Sequence, residues 1–301
     1  MFTRTRRYVA AGLLAVVATA AFAVACGDDD DDGDGDEPTT AATSAATPEG
    51  EDTPAGGTDV IDVSGVPELQ DGTWTIGSDI AYAPIEFVDE NGNNVGLDID
   101  LAEAMAARLG VEVAFENATF DGLIPALLAE RYDSLMSAMT INPERDEEVD
   151  FVPYFNAGSG LIVPAGNPNG IETPADLCGL TVSVQEGTIQ VDLLEAQSAE
   201  CDEAINILRL PTDPEAVQAL LAGQADAEIA DFPVAAYSAT QSDGDLEFIP
   251  NPIEPFTYGI ALRPGSDELE AVLQEALDQL IADGEYEEIL EGWNLSAGAI
   301  E

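Results

Sequence analysis

From Thr73 onward the chain alternates short apolar runs with segments of helical period, and this alternation limits the possible folds more than any other feature. Trp74 to Gly77 reads as a strand. Leu97, Leu101, Ala102, Met105, Ala106 and Leu109 form one helical stripe, stopped by Gly110. Val111 to Phe115 alternates as a strand, 123–129 is helical, and Ser134 to Met139 is again a strand. A second unit repeats the rhythm, with strands at 181–185, 205–210 and 227–230 and helices at 188–197, 214–222 and 233–240. A strand at 257–262 and an amphipathic helix from Asp267 to Asp283 follow. Strand–helix succession of this kind predicts an α/β fold with mainly parallel sheet. Open sheets of that type bind ligands outside the carboxyl ends of their strands. The segments that follow strands are therefore where chemistry is expected.

Composition narrows that chemistry. The 301 residues hold 60 Asp plus Glu against 8 basic residues, all Arg, and no His, for a net charge of −52. This length allows one large domain or two ordinary ones, and 46% apolar content can fill a core. Without Lys or His there is no Ser-His-Asp triad, Schiff-base lysine, P-loop lysine or His-ligated zinc. No cofactor and no metal is implied. Nucleic acid is not an expected partner, because phosphate binding draws on Lys and Arg. An anionic membrane surface would repel the chain for the same reason. Residues 27–59 carry 12 acids and no base, which leaves 48 acids and five Arg beyond residue 59. The acidity thus belongs to the folded part too. It reads either as a solvated, self-repelling surface or as adaptation to a salty habitat, where salt screens the repulsion.

The N-terminus reads as an export signal. Arg4, Arg6 and Arg7 precede a small, apolar stretch from Val9 to Val24, too short for a membrane span and suited to a signal core. The sequence Ala23-Val24-Ala25-Cys26 is similar to a bacterial lipobox, with Ala23 where Leu is usual. Cys26 is then the lipidated first residue; the alternative is a plain secretory signal cut after Ala25. Residues 27–71 read as a disordered acidic tether, the Asp28–Asp32 run being a solvated spacer rather than a calcium site. The two remaining cysteines, Cys178 and Cys201, are expected to form a structural disulfide worth roughly 3 kcal/mol.

The segments after strands share a pattern. IGSDIAYAPIEF carries Asp79, Tyr82 and Glu86. GLDIDLAEAMAARLG follows. DGLIPALLAERYDSLMSAMTINPERDEEVDF carries Phe120 just before it and Ser137, Ala138, Thr140 and Arg145 within it. Gln185-Glu186-Gly187-Thr188, GQADAEIADFPVAAY with Asp231, and DGEYEEILEGW complete the set. Six segments in this order resemble the polar-amino-acid-binding proteins of ABC importers, extracellular solute-binding family 3, over about residues 72–294. Ile85, Asn142 and Ile189 depart from the family pattern.

That resemblance implies a two-lobed, periplasmic-binding-protein-like clamp of type II, each lobe a mainly parallel sheet flanked by helices. Lobe one would be 72–157 plus 259–301 and lobe two 158–258, with hinge strands near 156–161 and 256–261. It further implies a monomeric, lipid-anchored protein on the outer face of the cytoplasmic membrane that delivers a free L-amino acid to an ABC permease by hinge closure. Arg145, Thr140 and Thr188 match the binders of the ligand carboxylate, and Thr188 also starts a helix, where free N–H groups suit an anion. Arg145 could instead pair with Glu144 or Asp146. Asp231, helped by Ser137 or the Ala138 carbonyl, matches the ammonium partner; its alternative is an N-cap. Tyr82 and Phe120 match aromatic walls. Asp79, Glu86 and Gln185 match the side-chain end, where two acids favour a basic ligand and Gln185 an amide; Asp79 could equally brace its loop. Two rivals share the fold or the location. A prephenate-type dehydratase would act on a small carboxylic acid, but Asp231 with Arg145 favours an amino acid. A sensor domain would need a membrane span and a signalling module.

Overall fold

Strands and helices alternate as the periodicity predicts. The computed structural model describes residues 60–300; the Arg-led apolar segment, Cys26 and the acidic stretch to residue 59 lie outside them. The strands are β1 (Thr73–Ser78), β2 (Phe87–Val88), β3 (Asn94–Val95), β4 (Glu112–Asn117), β5 (Ser134–Leu135), β6 (Asp150–Pro164), β7 (Thr181–Gln185), β8 (Asn206–Leu210), β9 (Ala227–Asp231) and β10 (Leu246–Leu262). The helices are α1 (Leu97–Leu109), α2 (Leu123–Leu128), α3 (Pro143–Asp146), α4 (Ile189–Glu200), α5 (Asp213–Leu221), α6 (Phe232–Gln241), α7 (Asp267–Asp283) and α8 (Glu285–Gly292).

β1 runs parallel between β4 and β5, and β7 runs parallel between β8 and β9. These two parallel triplets are the sheets of the two lobes. They are not separate: β6 and β10 pair antiparallel at the centre and join all eight strands in the order β4-β1-β5-β10-β6-β9-β7-β8. At about 3.3 Å per residue, strands of 15 and 17 residues are long enough to serve both triplets.

Local chemistry explains the elements that position the site. Trp74 and Ile76 of β1 are fully buried, and the Trp74 indole N–H donates to Ser134 Oγ at 2.8 Å, fixing β1 against β5. The α1 stripe is buried and the helix ends on Gly110 at φ 68°, a left-handed C-cap. Gly96 precedes α1 at φ 135°, where a Cβ would lie 2.2 Å from the Ile85 carbonyl oxygen. Only glycine lets the Glu86 loop pass this close. Arg108, 6% exposed, ties α1 to Asp283 and Glu285 of the C-terminal helices at 2.5 Å each. The Trp293 indole donates to Asp100 at 2.7 Å. Cys178 and Cys201 form a disulfide with 5.5 Å between Cα atoms, clipping the end of α4 to the loop before β7.

Three boundaries differ from the sequence reading by more than three residues. Residues 60–71, expected in the tether, are packed: Ile61, Val66 and Leu69 are buried in the core, with Val63 packed against them. The strand expected at 134–139 stops at Leu135, because the chain turns through Ala138 at φ 45°. The strand expected at 257–262 is only the end of β10.

Candidate functional site

A narrow cavity of about 10 Å³ lies where β1, β5, β7 and β9 end. Every ligand-contacting residue expected from sequence lines it except Ser137, and Ile189 and Gln190 line it as well.

At one end stands Arg145. Its backbone N–H is capped by Asn142 Oδ1 at 2.8 Å, so α3, though a single turn, holds it firmly. The guanidinium donates to the Thr140 carbonyl at 2.8 Å and across the cavity to the Gly187 carbonyl at 3.0 Å, and lies 5.2 Å over the Phe120 ring. Four of the five arginines among the described residues are paired with carboxylates; Arg145 is paired with none, neither Glu144 nor Asp146. Burial lowers its pKa from the usual arginine value. Thr188 begins α4 as the residue before its first turn, and its hydroxyl donates back to the Gln185 carbonyl at 2.9 Å instead of capping the helix. The first amides of α4 thus stay available to an anion next to a desolvated guanidinium.

Asp231, 4% exposed, lines the same cavity from the last position of β9. It occupies the N-cap position of α6 but makes no side-chain cap bond. Its carboxylate instead accepts from Gln190 Nε2 and from the Tyr258 hydroxyl, each at 2.6 Å, and its backbone N–H donates to Tyr82 Oη at 3.0 Å. Burial pushes its pKa up to about 6, opposed by those donors and by Arg145. Tyr82 therefore does more than wall the cavity.

The third side of the cavity is acidic. Asp79 accepts from Gln185 Nε2 at 2.6 Å, a bond between the ends of β1 and β7, and burial raises its pKa to about 6. Glu86 is 1% exposed; one oxygen accepts from Ser137 Oγ at 2.8 Å and the other has no partner. Burial drives its pKa well above the usual carboxylate range. The Ser137 hydroxyl also accepts from the Asp79 N–H at 2.9 Å, which explains why it braces the acids rather than facing the cavity. Ala138 lines the cavity and donates its N–H to Asp98 at 2.9 Å.

Behind these residues lie acids that sequence reading gave no role. Asp98 of α1 is fully buried, accepts from the Tyr154 hydroxyl at 2.8 Å, and is raised by burial to about 7. Asp213 and Glu228 form a second buried pair near Tyr82; burial raises Asp213 to about 7 and Glu228 well above its usual value. Gln190 and Tyr258 were also missed. Gln190 carried a signal: a polar residue two positions past the Gly187-Thr188 helix start lies in the first turn of α4, close to the strand ends. Tyr258 carried none, because its partner lies 27 residues away. The whole arrangement offers one unpaired guanidinium, helix amides and several buried carboxyls, which suits a small ligand bearing an anion and more than one positive or donor group.

Residues 74–296 match the family described as bacterial extracellular solute-binding proteins, family 3. The arginine-binding protein ArgT of Corynebacterium glutamicum is 34% identical over 246 residues, covering 78% of this chain and 79% of that protein. Among solved structures, an ancestral arginine-binding protein bound to arginine superposes with a TM-score of 0.70 at 37% identity, covering 74% of this chain and 98% of that one. An ancestral amino-acid-binding protein described as a precursor of cyclohexadienyl dehydratase superposes equally, with a TM-score of 0.70 at 37% identity over 75% of this chain and 97% of that one. Among the described residues no helix is long and apolar enough to cross a membrane. With its two-lobed α/β clamp and a match spanning most of its length, the chain belongs to the extracellular solute-binding proteins of family 3.

Proposed function

We propose that the protein captures a polar or charged L-amino acid, with arginine the first candidate, and delivers it to an ABC permease. Arg145, the Thr140 segment and Thr188 take the ligand carboxylate. Asp231 takes the ammonium, Tyr82 and Phe120 flank the side chain, and Asp79, Glu86 and Gln185 receive its far end. Capture occurs by closure of residues 72–157 plus 259–301 on residues 158–258, and Cys26 carries the lipid that holds the domain outside the cytoplasmic membrane. The observation that carries this reading is the unpaired Arg145 on the same cavity as buried Asp231, Asp79 and Glu86. A lone cation among three acids fits a zwitterion with a basic side chain, and arginine-binding relatives support the choice.

A thermal-shift screen against the twenty amino acids tests it, since a ligand of the folded state alone must raise stability. A rise of several degrees with arginine is expected. No rise with any amino acid sinks the reading. The second reading, a dehydratase on the same fold, draws on the ancestral precursor noted above, and measurable turnover of prephenate would establish it.

A further inference from the structure

Tyr258 contacts both Asp231 and Thr140, two residues of the cavity, though it does not line the cavity itself. Its ring is fully buried, with Tyr154, Phe155 and Phe256 centred 6.0, 5.5 and 6.0 Å away. Three aromatic neighbours leave the ring one orientation, and its hydroxyl then points at Asp231 Oδ2, 2.6 Å away. Its backbone does the opposite job. Tyr258 forms a β-bridge with Thr140, while the Gly259 N–H donates to the Met139 carbonyl and the Ile141 N–H donates to the Thr257 carbonyl, both at 2.9 Å. The segment so clamped supplies the Thr140 carbonyl that accepts from the Arg145 guanidinium at 2.8 Å.

We propose that Tyr258 is a positioning residue that sets the spacing between the two charged ends of the ligand site. Its main chain fixes the support of Arg145 and its phenol aims the Asp231 carboxylate. This inference rests on the reading of Asp231 as the ammonium acceptor. Tyr258 sits on β10 opposite Phe155 of β6, at the very edge of the 158–258 lobe where the central ribbon passes to the other lobe, and Asp231 sits on β9 of that lobe. The phenol bond therefore joins the Asp231 carboxylate to the central ribbon, and through the Thr140 bridge to the Arg145 support.

The phenol also decides how readily Asp231 takes a proton. A hydrogen bond to a charged group is stronger than one to a neutral group, so Tyr258 favours the ionised acid. Gln190, Tyr82 and Arg145 act in the same direction, while burial acts against it, and the Asp231 charge in turn raises the neighbouring Asp213, Glu228 and Glu86. Removing the phenol tips that balance toward the protonated acid, which accepts an ammonium poorly.

Isothermal titration of L-arginine into the exported domain, from about pH 5 to pH 8, tests the proposal. Tyr258→Phe keeps the ring and its packing. It is expected to weaken arginine roughly tenfold to hundredfold at neutral pH, and to shift the midpoint of the affinity–pH curve upward, so that the deficit grows as pH falls. A purely structural role predicts the same loss at every pH, and that result overturns the proposal. Asp231→Asn, measured alongside, must lose arginine at every pH. If Asp231→Asn binds like the unaltered protein, the reading of the site fails. If Asp231→Asn fails to bind while Tyr258→Phe binds within about threefold with an unshifted curve, the inference about Tyr258 alone fails. Should Tyr258→Phe not fold, 3-fluorotyrosine at position 258, a stronger donor, is expected to move the midpoint downward; an unmoved midpoint overturns the proposal.

Discussion

Arg145 was legible as a residue because it stands in a motif and is one of few cations in an acidic chain. Its lack of a carboxylate partner was not legible, since Glu144 and Asp146 flank it and offered an ion pair. Arg145→Ala removes the planar fork that meets a carboxylate. Amino-acid affinity should fall by about a hundredfold or more, while the melting temperature without ligand falls only modestly, from the loss of the guanidinium's bonds to the Thr140 and Gly187 carbonyls. Retained affinity would show that the anion end lies elsewhere. The acids behind the cavity were illegible for a different reason. Asp98 sits in the first turn of α1, where an acid is expected to serve the helix dipole at the surface, and only tertiary packing buries it. Burial raises Asp79 and Asp231 to about 6 and Asp98 and Asp213 to about 7, from 3.8. The folded protein thus holds more protons than the unfolded chain across this window, so stability without ligand should fall as pH rises from about 4 to about 7. Affinity for an ammonium-bearing ligand should rise over the upper part of the same range, because Asp231 must ionise to receive it. Melting curves and binding titrations across pH check the two opposite slopes. Asp89, held to about 2 chiefly by the Asn93 backbone N–H, contributes in the usual acidic sense only below that window.

Elements with a regular period were read almost to the residue: α1, β7 and α7 begin and end where the pattern placed them. The long central strands were not. β6 reads DFVPYFNAGSGLIVP, and its Pro153, Asn156, Gly158 and Gly160 break any period-two signal. Its length is set by pairing with β10, a long-range choice that composition does not record. The register between β6 and β10 shifts at Ile249/Ile253, Ile253/Pro255 and Tyr258/Gly259, which further hides the ribbon from a pattern search. The turn from β7 into α4 shows how tightly one element can depend on the opposite lobe. Gly187 has φ 79°, and a Cβ there would lie 3.0 Å from the Asp121 Cα, a backbone atom of the other lobe. Gly187→Ala should cost about 1 kcal/mol from the left-handed conformation and also prop the lobes apart. Amino-acid affinity is expected to fall at least tenfold with only a modest drop in melting temperature; unchanged affinity would show that the loop has room to yield. The Cys178–Cys201 pairing was foreseeable from cysteine count and export, and it stiffens the same lobe.

At the scale of the whole molecule, the surplus of negative charge is a surface property. Beyond residue 59 there are 48 acids and five Arg, and four of those Arg are used in ion pairs. Salt shortens the reach of like-charge repulsion to about 10 Å at 0.1 M and about 3 Å at 1 M. The melting temperature of the exported domain should therefore rise steadily with NaCl; a flat or falling response would mean that the acids are already compensated at low salt. The family could be read because six motifs kept their order. The lobes' direct hold on each other could not, since it comes from side chains that meet only in space. Gln185 grips Asp79, Arg145 grips the Gly187 carbonyl, and the Asp231 amide grips Tyr82. None of these bonds includes the cargo. An amino acid seated behind them can leave only after bonds belonging to the protein have broken. Cargoes that differ widely in how tightly they bind should then share one exit clock, and their differences should be written in how fast they are caught.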